Sequence, residues 1–246
     1  MVDVPPLVAH RFGRSYGPDS SRTALGRALD GPLGGVETDC VLTSDDHIAL
    51  LHDPQLALST DLQGWANDVD AQAIAKSRLR DARGELTSET PLLLEDGLDL
   101  LADRDDLVVQ LEVKAYADAD LAIRTARVTC ERALAHGGVR PERFEVISFW
   151  PDAVAAAAAH GLRARVIVAC SYEPDALARW AVAHAVTGVI LEGAYFAEAP
   201  VTTWREAGLS VMSGVINDKA SFERVLPFAP NMVATDCPHE LRADVT

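Results

Sequence analysis

Eight short apolar runs recur along the whole chain, and each is followed by a segment with the composition of a helix. We interpret the runs as β-strands covering residues 7–11, 36–43, 107–114, 144–149, 165–170, 188–191, 210–216 and 232–235. Continuous apolar strands that alternate with helices indicate a parallel sheet covered on both faces. Eight such repeats in 246 residues predict an α/β fold, a (β/α)₈ TIM barrel, which commonly has this length.

An open, doubly wound sheet is the competing α/β architecture. It usually has a G-x-G-x-x-G turn after its first strand, and that motif is missing here. The polar segment at 54–90 lacks a clean period, and we interpret it as a small insertion or lid after the second strand. A segment of about 37 residues is too short for an independent core. We therefore expect residues 1–246 to form a single domain.

The formal net charge of −15 opposes binding to a phosphate backbone, so the chain is not expected to bind nucleic acid. No apolar run approaches the length of an integral membrane segment. The first six residues lack the basic and apolar regions of a signal peptide. The cysteines form neither a C-x-x-C pair nor a zinc spacing, which favours reduced thiols and a cytoplasmic location; they are Cys40, Cys130, Cys170 and Cys237.

Two carboxylates lie at alternate positions of the second predicted strand, in the run Val-Glu-Thr-Asp-Cys. Residues two apart on a strand point to the same side, so Glu37 and Asp39 project into one place. Like charges held close together need a positive partner, and a hard divalent cation prefers oxygen ligands. Taken alone, the pair also fits a solvent-facing edge strand.

Polar residues end most of the other predicted strands as well. In a (β/α)₈ barrel these carboxyl ends converge on one mouth, where the chemistry lies. Each residue has a structural alternative, because a lone histidine is often buried and hydrogen-bonded and Glu112 with Lys114 is a possible ion pair. Together they fit a metal site flanked by acid/base groups and a cationic clamp. The strand-end residues are His10, Arg11, Glu37, Asp39, His52, Asp53, Glu112, Lys114, Ser148, Glu192, Asn217 and Asp236.

These motifs, in this order, make the chain resemble the glycerophosphodiester phosphodiesterase family. Its H-R motif is matched at 10–11, its E-x-D at 37–39, its H-D at 52–53 and its insertion at 54–90. Its L-E-[IV]-K motif is matched at 111–114, its S-F strand end at 148–149 and its closing T-D-x-P at 235–238. The resemblance covers the whole chain, and its order and spacing are more specific than any single motif.

The resemblance implies a TIM barrel that holds one divalent cation, Mg²⁺ or Ca²⁺. Its ligands are then Glu37, Asp39 and Glu112, the general acid/base pair is His10 and His52, and the phosphate-binding residues are Arg11 and Lys114. The implied reaction is hydrolysis of a small phosphodiester to an alcohol and a phosphomonoester through a cyclic phosphate. The chemistry of the residues agrees, because a cation, a guanidinium and an ammonium neutralise an anionic diester while imidazoles transfer protons near neutral pH.

Two departures from the family pattern bear on specificity. Phe12 stands where the family usually has glycine, and Ser21-Arg22-Thr23 replaces E-N-T. We expect Phe12 and Arg22 near the mouth, where they alter the preferred diester, although neutral drift explains both equally well. The open alternatives are a specialised biosynthetic phosphodiesterase, a cyclic-phosphate-forming, phospholipase D-like lyase and a non-catalytic phosphate-binding barrel. The leaving alcohol, the identity of the ion and the oligomeric state stay open.

Overall fold

All the β-strands of the described chain lie in one sheet. The structure is a computed structural model and describes residues 4–116, 118–168 and 172–246. Its strands are β1 (Leu7–Ala9), β2 (Gly35–Leu42), β3 (Ile48–Leu50), β4 (Val108–Val113), β5 (Phe144–Ser148), β6 (Arg163–Val168), β7 (Gly188–Leu191), β8 (Ser210–Val215) and β9 (Val233–Thr235).

Eight of these strands are parallel and close into a barrel. Strand β1 pairs with β9 on one side and with β2 on the other, and the order runs on through β4 to β8. The short strand β3 lies outside the barrel, where it pairs antiparallel with β2. The predicted TIM barrel is confirmed. The strand predicted at 165–170 is observed as β6, which starts two residues earlier than expected. Residues 169 and 170 of the predicted range, including Cys170, lie outside the described residues.

Helices follow the barrel strands and cover their outer faces. Sequence signals mark several helix starts: Ser21 and Asp118 accept hydrogen bonds from the first turns of their helices, and prolines open others. The helices are α1 (Arg22–Ala28), α2 (Leu56–Ser59), α3 (Ala71–Lys76), α4 (Leu94–Asp99), α5 (Ala119–His136), α6 (Pro151–Ala159), α7 (Pro174–Ala183), α8 (Glu198–Glu206), α9 (Lys219–Val225) and α10 (Pro238–Val245). The sequence did not predict α2, α3 or α10.

The alternation of side chains along the strands separates the barrel interior from the outer core. Val36 and Cys40 of β2 pack in the core under the helices, so the alternate residues Glu37 and Asp39 face inward. The lower interior is filled by a cluster of aliphatic side chains, which belongs to a core separate from the one under the helices. These interior residues are Val8, Ile147, Ile167, Ile190, Met212, Met232 and Ala234.

The insertion at 54–90 packs against the outer side of β3. Its buried residues Leu56 and Ile74 share one apolar cluster with Val41 of the barrel strand β2 and Ala49 of β3. Isolated bridges between Gln55 and Trp65 and between Thr60 and Leu79, among others, hold its loops together. The insertion therefore completes its core with barrel residues.

Candidate active site

Three carboxylates meet at the carboxyl end of the barrel. Glu37 and Asp39 come from β2, and Glu112 comes from β4, where it is the register partner of Asp39. One oxygen of each lies within 4.8 Å of the others, and all three side chains are buried. The alternation within β2 and the parallel register between β2 and β4 are sufficient to bring these groups together.

Burial and mutual repulsion change the proton affinity of this cluster. Burial, together with the charge of Asp39, raises the pKa of Glu37 to about 8. Burial also raises the pKa of Glu112, against the opposing charge of Lys114. Burial alone would raise the pKa of Asp39 too, but the charges of Lys114 and Arg11 outweigh it and lower that pKa.

Two cationic side chains face these carboxylates. Lys114 Nζ lies 3.1 Å from Asp39 Oδ1 and also hydrogen-bonds Glu112. Arg11 Nε lies 3.6 Å from Asp39 Oδ2, while its Nη1 donates to Asp19 Oδ2 at 2.7 Å. Both cations are thus shared between the carboxylate cluster and the open mouth.

Arg11 reaches this position through an unusual turn. Its backbone is left-handed, with φ 49° and ψ 45°, two residues after the end of β1. The turn directs its backbone N–H to Glu37 Oε2 at 2.8 Å, and its carbonyl accepts from the Ser20 amide at 3.0 Å. Glu37 Oε1 is buried and has no hydrogen-bond partner among the described residues.

His10 is held by a carboxylate from the opposite end of the chain. Its Nδ1 lies 2.6 Å from Asp236 Oδ1, and its Nε2 lies 3.9 Å from Glu37 Oε2. Asn217 Nδ2 donates to Asp236 Oδ2 at 2.7 Å and fixes that carboxylate in turn. Burial lowers the pKa of His10, but the hydrogen bond to Asp236 and the charge of Glu37 outweigh burial and raise it.

His52 has the same kind of support from its neighbour in sequence. Its Nδ1 lies 3.1 Å from Asp53 Oδ1, and Ser59 Oγ donates to Asp53 Oδ2 at 2.9 Å. Ser59 ends α2, so the insertion helps to fix this histidine. Each predicted acid/base histidine therefore has a carboxylate at Nδ1, which leaves Nε2 for another partner.

The mouth of the barrel contains a cavity of about 190 Å³. Six of the seven predicted site residues line it, and Asp39 is fully buried. An apolar groove of about 620 Å³ extends from His52 and Lys114 past Tyr116, Phe149 and Trp150. The six residues that line the mouth are His10, Arg11, Glu37, His52, Glu112 and Lys114.

Two expected residues lie elsewhere. The expectation that Phe12 lines the mouth is wrong: its left-handed φ of 63° follows that of Arg11, and the ring is buried in the core under the helices. Arg22 is exposed on α1 and lines a separate surface cavity with Ala75 and Ser88, so it is not at the mouth either. Ser148 is buried and donates to the Val113 carbonyl at 2.9 Å.

The sequence did not predict the contacts that hold the residues of the mouth in place. Asp19 lies in the loop after β1 and pairs with Arg11, and Asn217 supports Asp236. Loop composition carries no sign of the Asp19 contact. Asn217 and Asp236 were recognised as strand-end polar residues, but their pairing with each other and with His10 was not predicted.

A family comparison bears directly on these motifs. Residues 10–240 match the model of the glycerophosphoryl diester phosphodiesterase family. The chain belongs to this family. The resemblance inferred from the sequence motifs is thereby confirmed, and the family is one of phosphoric diester hydrolases.

Individual relatives agree with the family match. A glycerophosphodiester phosphodiesterase of Bacillus altitudinis is 28% identical over 109 residues, which are 44% of this chain and 44% of that protein. A second, from Caldanaerobacter subterraneus, is 28% identical over 110 residues, 44% of this chain and 45% of its own length. The aligned segments therefore span less than half of each relative.

Solved structures share the fold over almost the whole chain. A phosphodiesterase from Oleispira antarctica, solved in complex with the product sn-glycerol-3-phosphate, has a TM-score of 0.84 and 19% identity over 98% of this chain and 97% of its own. A glycerophosphodiester phosphodiesterase from Parabacteroides distasonis has a TM-score of 0.79 and 19% identity, over 100% and 98% of the two chains. Within the described residues, no helix has both the length and the apolar character needed to cross a membrane.

Proposed function

We propose that the protein hydrolyses a glycerophosphodiester, or a related small phosphodiester, to an alcohol and a phosphomonoester. The observation that carries this proposal is the convergence of three buried carboxylates, two supported histidines and two cationic side chains on one barrel mouth. Family membership supports it, as does the Oleispira relative, which was solved with sn-glycerol-3-phosphate. A small glycerol phosphate is accordingly the expected kind of product.

A divalent cation, Mg²⁺ or Ca²⁺, is the cofactor that these carboxylates fit. Within residues 4–116, 118–168 and 172–246, Glu37 Oε1 is buried without a hydrogen-bond partner, and both Asp39 oxygens lie near cations without accepting a hydrogen bond. Carboxylate oxygens in this state suit a hard ion, and Glu37, Asp39 and Glu112 would hold it. When bound, such an ion neutralises the phosphate and stabilises the charge that develops during the reaction.

Arg11 and Lys114 would bind the oxygens of the scissile phosphate. Both line the mouth, and Asp39 holds them side by side, with Lys114 Nζ 3.1 Å and Arg11 Nε 3.6 Å from its two oxygens. The planar guanidinium offers two parallel donors to a phosphate, whereas the ammonium acts as a point charge. The substrate would thus be held against the histidines by charge-assisted hydrogen bonds.

His10 and His52 would carry the protons. A hydroxyl of the substrate next to the phosphodiester attacks phosphorus, and one histidine accepts its proton while the other protonates the leaving oxygen. The resulting cyclic phosphate is then opened by water, with the roles of the histidines reversed. Asp236 and Asp53 at the two Nδ1 atoms keep each ring oriented with Nε2 available.

The insertion at 54–90 would belong to the same single domain and form a wall of the active site. Its apolar core is shared with the barrel, and Ser59 supports Asp53 beside His52. This role explains why a polar segment without an independent core is retained between β3 and α4.

The test is turnover of glycerophosphocholine by the purified protein with Mg²⁺ or Ca²⁺, followed by phosphorus NMR. We expect activity that an excess of chelator abolishes, and a loss of about 10²–10⁴-fold in kcat for His10→Ala or His52→Ala. His184→Ala, which changes an exposed histidine at the end of α7, is the matched control and should retain full activity.

The same spectra separate the alternatives. A clean phosphomonoester supports hydrolysis, whereas an accumulating cyclic phosphate would assign the chain to the lyase class. Binding without turnover of any diester would favour a phosphate-binding barrel. Undiminished turnover in excess chelator, or in His10→Ala, would contradict the proposed mechanism.

A further inference from the structure

A second polar cavity adjoins the mouth on the side of the insertion. Its volume is about 620 Å³, and Arg11 and His52 line both this cavity and the mouth. The loop 79–84 of the insertion forms its far wall. We call it the arginine pocket, because Arg11, Arg14, Arg80 and Arg83 all line it. A substrate held at the mouth can therefore extend a substituent into it.

The arginine pocket has an excess of positive charge in an acidic protein. Its four arginines face three aspartates, whereas the whole chain has a formal charge of −15. Each of the three aspartates already has an ion-pair or hydrogen-bond partner. Asp19 pairs with Arg11 and Arg14, and Asp53 bonds His52 and Ser59. Asp81 accepts the backbone amides of Arg83 and Glu85, at 2.9 Å each.

Two guanidiniums consequently have no carboxylate partner within the part of the chain that the structure describes. Arg80 Nε donates to the carbonyls of Thr60 and Ala57 at 2.9 and 3.2 Å, and its Nη1 donates to the Gly84 carbonyl at 2.9 Å. These neutral acceptors fix the half-buried side chain but leave its charge uncompensated. They use only two of the five guanidinium N–H groups. The exposed Arg83 side chain has no partner among the described residues.

A positioned guanidinium with free N–H groups is the side chain best suited to a phosphate, which it binds with two parallel hydrogen bonds. The carbonyl contacts already order the Arg80 side chain, so binding a phosphate there costs little further conformational entropy. We propose that the arginine pocket binds a second phosphate group, a monoester carried by the alcohol part of the substrate. This inference rests on the proposed phosphodiesterase function and names the substrate class of that site.

The test compares two substrates that differ by one phosphate group, glycerophosphoinositol and glycerophosphoinositol 4-phosphate. For the unaltered protein we expect kcat/KM to be at least about tenfold higher for the 4-phosphate, expressed mainly as a lower KM, because a charge-assisted contact of this kind is worth a tenfold change or more. In the double variant Arg80→Gln/Arg83→Gln the ratio of the two kcat/KM values should fall towards one.

Arg78→Gln is the matched control. Arg78 lies in the same insertion, pairs with Asp61 at 3.0 Å and does not line the arginine pocket, so the substrate preference should persist. Arg83→Gln alone serves as the second variant, because the exposed Arg83 side chain has no hydrogen-bond or ion-pair partner among the described residues. Equal kcat/KM values for the two substrates, or a preference that survives in the double variant, would overturn the proposal.

A binding measurement separates this inference from the proposed function. Calorimetric titration with inositol 1,4-bisphosphate and with inositol 1-phosphate requires no turnover. Tighter binding of the bisphosphate, lost in Arg83→Gln and kept in Arg78→Gln, supports the arginine pocket even if neither diester is hydrolysed. Hydrolysis of both diesters at equal rates, with equal binding of the two inositol phosphates, would refute the pocket and leave the phosphodiesterase function intact.

Discussion

His10 Nδ1 lies 2.6 Å from Asp236 Oδ1, although 226 positions separate the two residues. The contact exists because β1 pairs with β9, so that closure of the barrel brings the first and last strand ends side by side. Asn217, after β8, holds the second oxygen of Asp236. The orientation of one proposed acid/base group therefore depends on the strands that close the barrel.

The first prediction concerns this contact. Asp236→Asn keeps the size of the side chain but removes the charge that orients and stabilises protonated His10. We expect kcat to fall at least about tenfold, equivalent to about 1.4 kcal/mol of transition-state stabilisation, with a smaller change in KM. The pH profile of kcat should also shift, because loss of the carboxylate lowers the pKa of His10.

Asp244→Asn is the control, since Asp244 is exposed near the end of α10 and should leave kcat and its pH profile unchanged. Thermal melting of both variants tests whether folding is affected. An unshifted pH profile in a folded Asp236→Asn variant would show that Asp236 does not act through His10.

The second prediction concerns the stability of the metal-free protein. The pKa of Glu37 rises from 4.5 to about 8 on folding, so the folded chain favours the protonated carboxyl. The resulting stabilisation is complete below about pH 4.5 and is lost as the pH rises towards 8. His10, whose pKa is also raised, acts in the same direction. Asp39, whose pKa is lowered, changes the free energy of unfolding only at more acidic pH.

We expect the midpoint of urea denaturation, measured in chelator between pH 5 and 9, to fall as the pH rises. Saturating Mg²⁺ or Ca²⁺ should flatten the curve, because a bound cation stabilises the ionised carboxylates and adds binding free energy to folding. Glu37→Gln should make the curve less steep in chelator, while His10 still contributes to it. A midpoint that is independent of pH in chelator would contradict the prediction.

The third prediction concerns Lys114, whose ammonium contacts Asp39 and Glu112. Lys114→Met leaves two buried carboxylates without their main cation, and removing one partner of a buried ion pair costs about 3–5 kcal/mol. Urea denaturation in chelator measures this loss, and a saturating divalent cation should restore part of it. Arg78→Met, at an exposed pair with Asp61, should cost about 1 kcal/mol or less.

The fourth prediction tests whether the insertion belongs to the barrel domain. Ile74 of α3 is fully buried in the cluster shared with Val41 and Ala49. Ile74→Ala should lower the global free energy of unfolding by about 2–5 kcal/mol within a single cooperative transition. Leu58→Ala, at a 57% exposed position, should change it little. Two transitions in the unaltered protein would show that 54–90 folds independently.

Local patterns predict the barrel well because apolar runs and helix caps are set by a few consecutive residues. The eight apolar runs correspond to the barrel strands, and helices such as α5 lie in the segments between them. The two helices of the insertion were not predicted because they are too short to show a helical period. Helix α2 has four residues and α3 has six. Their stability comes from contacts with the barrel cluster, which are not local.

The candidate site also has a part that the sequence predicts and a part that it does not. The convergence of Glu37, Asp39 and Glu112 follows from strand alternation and parallel register, which the sequence encodes locally. The pairing of Arg11 with Asp19 depends on backbone angles in a loop, and loop composition does not determine those angles. The same left-handed turn explains why the expectation for Phe12 was wrong, since a residue that follows the H-R motif need not point into the candidate site.

The fifth prediction follows from that turn and weighs two opposing effects at Phe12. Phe12→Gly, the residue that the family usually has, relieves about 1–2 kcal/mol of left-handed strain but removes a ring that is only 1% exposed. Loss of a buried phenylalanine costs about 3–5 kcal/mol, so packing outweighs strain and the variant should be less stable. Phe12→Ala loses the same ring and keeps the strained Cβ, so it should be less stable still. Urea denaturation gives the order directly, and a Phe12→Gly variant more stable than the unaltered protein would show that the strain is the larger effect.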